Sequence, residues 1–551
     1  MAALASAADG TGSTQSPVDV DVLVVGAGVT GIYQLYLARA AGFSVLMLEA
    51  GTGVGGTWYW NRYPGSRYDS ESYTYGYFFS KELFDDWTWP EVFTGQPENE
   101  RYFNHVVDRF DLRRHIRFNA RIVAEDWDEE AESWTVCAED GSEVRARFVV
   151  NATGVLSAPY FPAIPGRDDF RGIAHHTGLW PKEPVDFAGK RVAVVGTGSS
   201  GVQVIPMIAD EVASLTVYQR TPNWCVPLNN RVIPAEEQAE IKADFERIRE
   251  TVTNSAAGFL HVPHDRKTFE DTKEQRWAFY ETMWRSPGFA KLGTNYTDLL
   301  TNRDANAQWC AFLEEKYRSI VQDPATVEKL IPRDHLYAGK RPPFVTGYFE
   351  TFNKPNVDLV DLRETPMVRV TANGIETTDG EREFDIIVWA TGFDFGTGAL
   401  LRMGIRGVGG LSLNGYWAQG PLTYLGVMAH GFPNMFFPGG PHGGAGNNPR
   451  YNSDQSEFIH GIFEVMRQHD YRRVEVPAEA EKTWNDMVDL YSAKQPFGEK
   501  SFFFGANIPG KPKRFLNNPG GRLLMKQMMA DTVASEYKGF FCTTRERSAE
   551  R

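Results

Sequence analysis

The sequence predicts an α/β protein built on two doubly wound, dinucleotide-binding units, the second interrupted by a helical insertion. Three observations carry that prediction. Two glycine-rich loops, Gly26-Ala27-Gly28-Val29-Thr30-Gly31 and Gly196-Thr197-Gly198-Ser199-Ser200-Gly201, each follow an apolar run and open a helical one. The phrase Ala-Thr-Gly recurs at 152–154 and 390–392, each time after an apolar strand. Residues 226–334 turn helical, with Ile241, Phe245 and Ile248 in one stripe and Trp309, Phe312, Leu313, Tyr317 and Ile320 in another.

Composition sets the bounds. A chain of 551 residues exceeds one ordinary core. Its 42% apolar and 13% aromatic content is that of a globular protein. A net charge of −14 argues against nucleic acid or an anionic membrane as the main partner. Residues 1–17, rich in Ala, Ser, Gly and Thr, read as a disordered tail and not a signal peptide. No stretch approaches the roughly 20 apolar residues of a membrane span. Cys137, Cys225, Cys310 and Cys542 are too dispersed for a CxxC motif, and isolated thiols fit a reducing compartment. The expected location is cytoplasmic.

In chain order, residues 18–25 read as a buried parallel strand and 32–41 as a helix. Residues 44–48 read as the next strand, ending in Glu49. Gly26 permits the tight turn, Gly28 lets backbone approach a pyrophosphate, and Gly31 lets helix and strand close up. The helix N-terminus then faces the pyrophosphate with its positive end. Glu49, 23 residues after Gly26, suits a ribose and repels a 2′-phosphate, so this loop should take FAD or NAD. Residues 121–127, 134–138 and 144–150 read as strands, with Asp140-Gly141 as a hairpin turn. The acidic run 125–132 reads as a solvated loop.

The second loop differs from the first at one decisive place. Gln219 lies 23 residues after Gly196, where the first unit has its acid, and Arg220-Thr221 follow. An arginine grips a phosphate bidentately, so this loop should take NADPH, with Arg220 and Thr221 at the 2′-phosphate.

Three further stretches resemble the flavin-dependent Baeyer–Villiger monooxygenases. Phe170, Gly172, His176, Trp180 and Pro181 fall at the spacing of that family's fingerprint. Gly56, Trp58, Tyr63, Pro64, Gly65 and Asp69 match a second pattern, and Lys340-Arg341 a third. The resemblance spans about residues 20–515. It implies an FAD domain from 18–158 and 389–551, an NADPH domain from 159–225 and 335–388, and the insertion at 226–334. It implies Thr30, Thr57, Tyr75 and Ile122 as further FAD contacts. On the NADPH side it implies Thr197, Ser199, Ser200, Gln203 and Lys340. Arg341 is then the catalytic residue, held by Asp69, both beside the cofactors. The implied reaction takes ketones to esters or lactones with NADPH and O2, through a C4a-peroxyflavin that a cation keeps anionic. His176, taken alone, is a buried structural histidine; the resemblance gives it a part in coupling domain movements.

Two departures from the family pattern stand out. His442-Gly443-Gly444 replaces a Ser-Pro, within a run, 439–446, too glycine-rich to be rigid. Phe502 replaces a tryptophan in a loop expected to close over NADP, removing an indole N–H. The same scaffold also serves flavin N- and S-hydroxylases, and Trp180-Pro181 with the Asp69/Arg341 pair argue against that reading. A disulfide reductase needs a redox cysteine pair that these spacings do not offer.

Overall fold

The computed structural model describes residues 18–444, 446–494 and 500–544. The expected N-terminal tail, 1–17, lies outside the described residues.

Two parallel sheets organise the chain. The first contains β1 (Val18–Val25), β2 (Val45–Leu48), β3 (Ile116–Arg117) and β6 (Glu143–Asn151), joined by parallel pairing in the order β6-β1-β2-β3. Helix α1 (Val29–Ala40) connects β1 to β2. The antiparallel meander β4 (Ile122–Asp128), β5 (Ser133–Ala138) and β6 extends this sheet, and the short strands Ile405–Arg406 and Met435–Phe436 return to it. Side chains alternate along β1. Val22 and Val24 enter one core, Leu23 and Val25 the opposite one, all at most 7% exposed. That is why the strand reads as a continuous apolar run.

The second sheet is all parallel. Its order is Val357–Asp361, then β9 (Ser214–Gln219), β8 (Arg191–Val195), Ile386–Trp389 and β7 (Ile173–His176). Val192 and Val194 face one core while Ala193 and Val195 face the other. Between Pro227 and Phe344 the chain is helical, with Ala235–Ala243, Phe245–Asn254, Lys273–Arg285, Arg303–Ile320 and Pro324–Leu330. Both stripes read from sequence are core: Ile241, Phe245, Ile248, Trp309, Phe312, Leu313 and Tyr317 are buried.

The acidic run at 125–132 corrects the sequence reading. Glu125 to Asp128 belong to β4, and Glu125 is fully buried, paired in register with Ile405. Strand alternation points every second side chain inward, so one acid of a charged run is taken into the core. Asn151 donates its Nδ2–H to Glu125 Oε2 at 2.9 Å. Burial raises the Glu125 carboxyl to about 8, the Asn151 hydrogen bond opposing and Asp126 adding to the rise.

A carboxyl raised in this way binds a proton in the folded chain where the unfolded chain has already lost it. Stability is therefore lost as pH climbs from the unfolded value toward the folded one. Glu125→Gln, neutral throughout, is expected to gain on the parent protein from about pH 5 to about pH 8, by roughly 3–5 kcal/mol. Thermal unfolding of both proteins across that range measures the gain. A pH-independent difference would mean that Glu125 is ionised throughout.

Candidate active site

The two glycine loops are built alike. Gly26 stands at φ 101°, and a Cβ there would lie 2.8 Å from the Ala152 carbonyl oxygen. Gly196 stands at φ 109°, where a Cβ would overlap the Ala390 carbonyl. A Cβ on Gly31 would overlap the Gly26 carbonyl, and one on Gly201 the Gly196 carbonyl. Each Ala-Thr-Gly phrase is thus the floor on which a nucleotide loop rests, and only glycine fits the contact.

A cavity of about 590 Å³ opens at the first loop. Gly26, Gly28, Thr30 and Glu49 line it, with Gly56, Thr57, Trp58, Tyr75 and Ile122. Gly28 and Gly56 meet backbone to backbone: a Cβ on Gly56 would stand 2.7 Å from Gly28 Cα. Trp58 Nε1–H donates to the Tyr75 hydroxyl at 3.1 Å, fixing both rings in the wall. Glu49 accepts from Ala27 N–H and Gly51 N–H, each at 2.7 Å. Burial pushes its carboxyl up and those two bonds pull it back. Asn61, Asn448, Tyr451 and Asn452 also line the cavity and were not foreseen. The last three come from the first turns of the helix Asn448–Gln468, which no local motif ties to a nucleotide loop.

The second loop opens to solvent at Gly198 and Ser199, and Ser199 and Ser200 begin the helix Ser199–Ile208. Gln219 is buried beneath it. Its Oε1 accepts from Thr197 Oγ1–H at 3.3 Å, and its Nε2 donates to the Lys329 carbonyl. The Thr221 carbonyl lies 3.4 Å from the same Thr197 hydroxyl. Arg220 is exposed, and Lys340 lies 3.7 Å from Asp334. Burial lowers the Lys340 ammonium below its ordinary value, Asp334 opposes, and the charges of Arg220 and Lys500 lower it further. The charges of Arg220 and Lys500 therefore both reach Lys340. Gln203 has a different setting: its amide accepts from Tyr63 O–H at 2.7 Å and donates to the Arg67 carbonyl at 3.0 Å. It joins the second unit's helix to the loop carrying Asp69.

Asp69 and Arg341 form an ion pair, the aspartate 5% exposed. Burial pushes the Asp69 carboxyl up and the Arg341 guanidinium pulls it back. Arg341 Nη1 also donates to Ser199 Oγ at 3.2 Å, and its guanidinium lies 5.6 Å from the Phe289 ring centre. The pair thus stands against the opening of the second nucleotide loop. Gly65 lets the Asp69 loop approach the helix Ser199–Ile208, since a Cβ there would come within 2.7 Å of the Gln203 carbonyl oxygen.

The stretch 170–181 crosses between the units. His176 ends β7 and is buried; Gly178 N–H donates to its Nδ1 at 2.9 Å, and Phe161 and Phe393 flank its ring. Burial pulls the imidazole down to about 4, so it stays neutral at working pH. Trp180 N–H donates to the Trp60 carbonyl of the first unit at 3.2 Å. His176 has the structural setting expected of it.

The glycine-rich run is packed, not loose. His442 is fully buried at φ 62°, its ring between the Thr423 hydroxyl (2.9 Å) and the Phe515 carbonyl (3.0 Å). Gly443 is pressed between Gln455 and Gly426. Glycine serves here for close approach; Ala445 lies outside the described residues. His442 N–H also donates to the Leu516 carbonyl. Phe502 sets its ring edge against Phe395 at 5.2 Å, and Lys511 reaches Asp394 at 2.5 Å, so aromatic and ionic contacts hold this loop. All four cysteines are free thiols.

The family model described as pyridine nucleotide-disulphide oxidoreductase matches residues 23–273. The chain is 43% identical over 477 residues to 2-oxo-Delta(3)-4,5,5-trimethylcyclopentenylacetyl-CoA monooxygenase of Pseudomonas putida, covering 85% of this chain and 88% of that protein. It is 37% identical over 540 residues to a Baeyer-Villiger monooxygenase of Pseudooceanicola batsensis, covering 97% of each. The crystal structure of OTEMO in complex with FAD and NADP superposes with a TM-score of 0.92 at 40% identity, over 96% of this chain and 100% of that one. The fold and site define a flavin-dependent oxygenase with two dinucleotide cofactors, FAD and NADPH. Within that class, the chain belongs to the Baeyer–Villiger monooxygenases.

The first loop fits a flavin dinucleotide: a glycine-walled cradle with the buried acid Glu49 at the end of the second strand, and Arg121 and Arg402 also in the wall. Gly56→Ala is expected to wedge Gly28 and Gly56 apart, at a cost of about 1–3 kcal/mol. The purified variant should carry several-fold less flavin per protein, read by absorbance. Full retention would contradict the cradle.

Proposed function

We propose that Arg341, held by Asp69, is the residue through which this monooxygenase oxygenates a ketone carbonyl. The observation that carries this is the ion pair between buried Asp69 and half-buried Arg341 beside the second nucleotide loop. FAD, reduced by NADPH, supplies the electrons that activate O2. Negative charge then develops on the reacting oxygens, first on the attacking one and then on the former carbonyl. A guanidinium is a permanent cation with several directed donors, suited to both. Asp69 fixes its orientation and, being buried, is poorly screened by water. Phe289 covers one face of the guanidinium, which limits hydration there. On this reading the sheet around β1 carries FAD and the sheet around β8 carries NADPH. Arg220, Thr221 and Lys340 hold the 2′-phosphate, and Gln219 replaces the acid that would repel it.

The substrate class is a ketone, with O2 as co-substrate. The free thiols and the absence of any long apolar helix among the described residues support a cytoplasmic setting. The overall negative charge supports small molecules, not nucleic acid, as partners.

Arg341→Ala is expected to reduce its flavin with NADPH at close to the parent rate while ester formation falls by about 10²–10³. Rapid-mixing flavin reduction alongside product analysis tests both halves; oxygenation at the parent rate would end the assignment. Arg220→Ala is expected to raise KM for NADPH by about 10–100-fold and leave NADH kinetics nearly unchanged. An equal effect on both nucleotides would remove Arg220 from the 2′-phosphate.

A further inference from the structure

The helical insertion touches the Asp69–Arg341 pair at two points, and a third contact lies behind it. A Cβ on Gly288, at φ 41°, would come within 2.7 Å of the Asp69 carbonyl oxygen. The next residue, Phe289, covers the Arg341 guanidinium. Phe289 stacks on Phe259 at 4.7 Å, and Phe259 stacks on His261 at 6.0 Å. His261 Nε2 lies 3.2 Å from Glu71 Oε1, with side chains only 10% and 5% exposed. Glu71 is two residues from Asp69, so the contacts close a ring: Asp69, Arg341, Phe289, Phe259, His261, Glu71 and back along the chain.

Glu71 is a buried carboxyl whose Oε2 has no hydrogen-bonding partner among the described residues, and neither has His261 Nε2, whose 3.2 Å approach to Glu71 Oε1 is a close polar contact not aligned as a hydrogen bond. Each is therefore the other's polar neighbour. A buried polar group without a partner costs about 1–3 kcal/mol, which holds the two together. Glu71 also stands between two functional positions. Its carbonyl accepts from Tyr75 N–H at 3.1 Å, and Tyr75 is in the cavity wall. Moving Glu71 moves Asp69 on one side and Tyr75 on the other.

We propose that His261 and Glu71 are a positioning pair: they fix the insertion to the Asp69 loop and so set the orientation of Arg341 toward the reacting oxygens. This rests on Arg341 being the oxygenating residue. The pair touches no substrate, and its effect is on oxygen transfer, not on hydride transfer to FAD.

The test uses the full-length holoenzyme with a ketone that the parent protein converts. His261→Leu removes the polar contact; His261→Gln places an amide nitrogen near the Nε2 position. With His261→Leu, ester formed per NADPH should fall at least about tenfold and hydrogen peroxide rise to match. Flavin content and the rate of flavin reduction by NADPH should stay close to the parent values, while the thermal midpoint falls by a few degrees at most, about what an unpaired Glu71 carboxyl costs. His261→Gln should restore coupling to within about threefold. Should His261→Leu fail to fold, Gly293→Ala carries the test, because its Cβ would stand 2.7 Å from His261 Cβ and displace the ring from Glu71. Coupling should fall there in the same way. Unchanged coupling in the variant that folds overturns the proposal. So does a matching fall in flavin reduction, or a His261→Gln protein as uncoupled as His261→Leu. Arg341→Ala, run alongside, separates the two assignments: if it still makes ester, the fault lies with Arg341, whatever His261→Leu does.

Discussion

A carboxylate removed from water needs a cation, and Asp69 finds one 272 residues further along the chain. The ion pair with Arg341 has consequences in several parts of the fold. The loop bearing Asp69 must lie against the helix of the second nucleotide unit, which is why glycine occupies position 65 and why Gln203 bonds to Tyr63 and Arg67. The segment bearing Arg341 must return from the insertion to the mouth of the second loop, where Ser199 accepts from the guanidinium. The insertion then covers the pair with Phe289. Elements of both glycine-loop units and of the insertion converge on this one charge pair.

The duplication beneath this arrangement is steric. In each unit a glycine at positive φ rests on the alanine of an Ala-Thr-Gly phrase, and the third glycine of the loop rests on the first. The units diverge where cofactor identity is decided. Glu49 uses both carboxylate oxygens to hold its own loop, whereas Gln219 is a neutral amide tied to Thr197 and Lys329. On the proposed reading, one exchanged functional group, with Arg220 beside it, separates a site that would repel a 2′-phosphate from one that would attract it.

What the sequence could reveal follows from the range of the interactions. The glycine loops, their helices and the Glu49/Gln219 contrast are local, so their spacing was readable directly. The pairing of Asp69 with Arg341 spans 272 residues, about half the chain, and only family resemblance brought the two together. Glu125 was misread because charge runs are mostly solvated, and nothing in its neighbours shows that this one acid turns inward opposite Ile405. The run at 439–446 was misread as loose because glycine serves both flexibility and close packing. His442, buried between Thr423 and Phe515, shows that packing prevails here. The contact of His261 with Glu71 has no sequence signature, since a histidine in an insertion and a glutamate in a loop are ordinary residues until the fold brings them together.

The most direct measurement is the product balance of the purified yellow protein with NADPH in aerated buffer, across panels of ketones, tertiary amines and sulfides. The account predicts that at least one ketone is turned into its ester or lactone, with one inserted oxygen for most of the NADPH consumed. Oxidation of amines or sulfides with no ester from any ketone would contradict it, and with it the role given to Arg341.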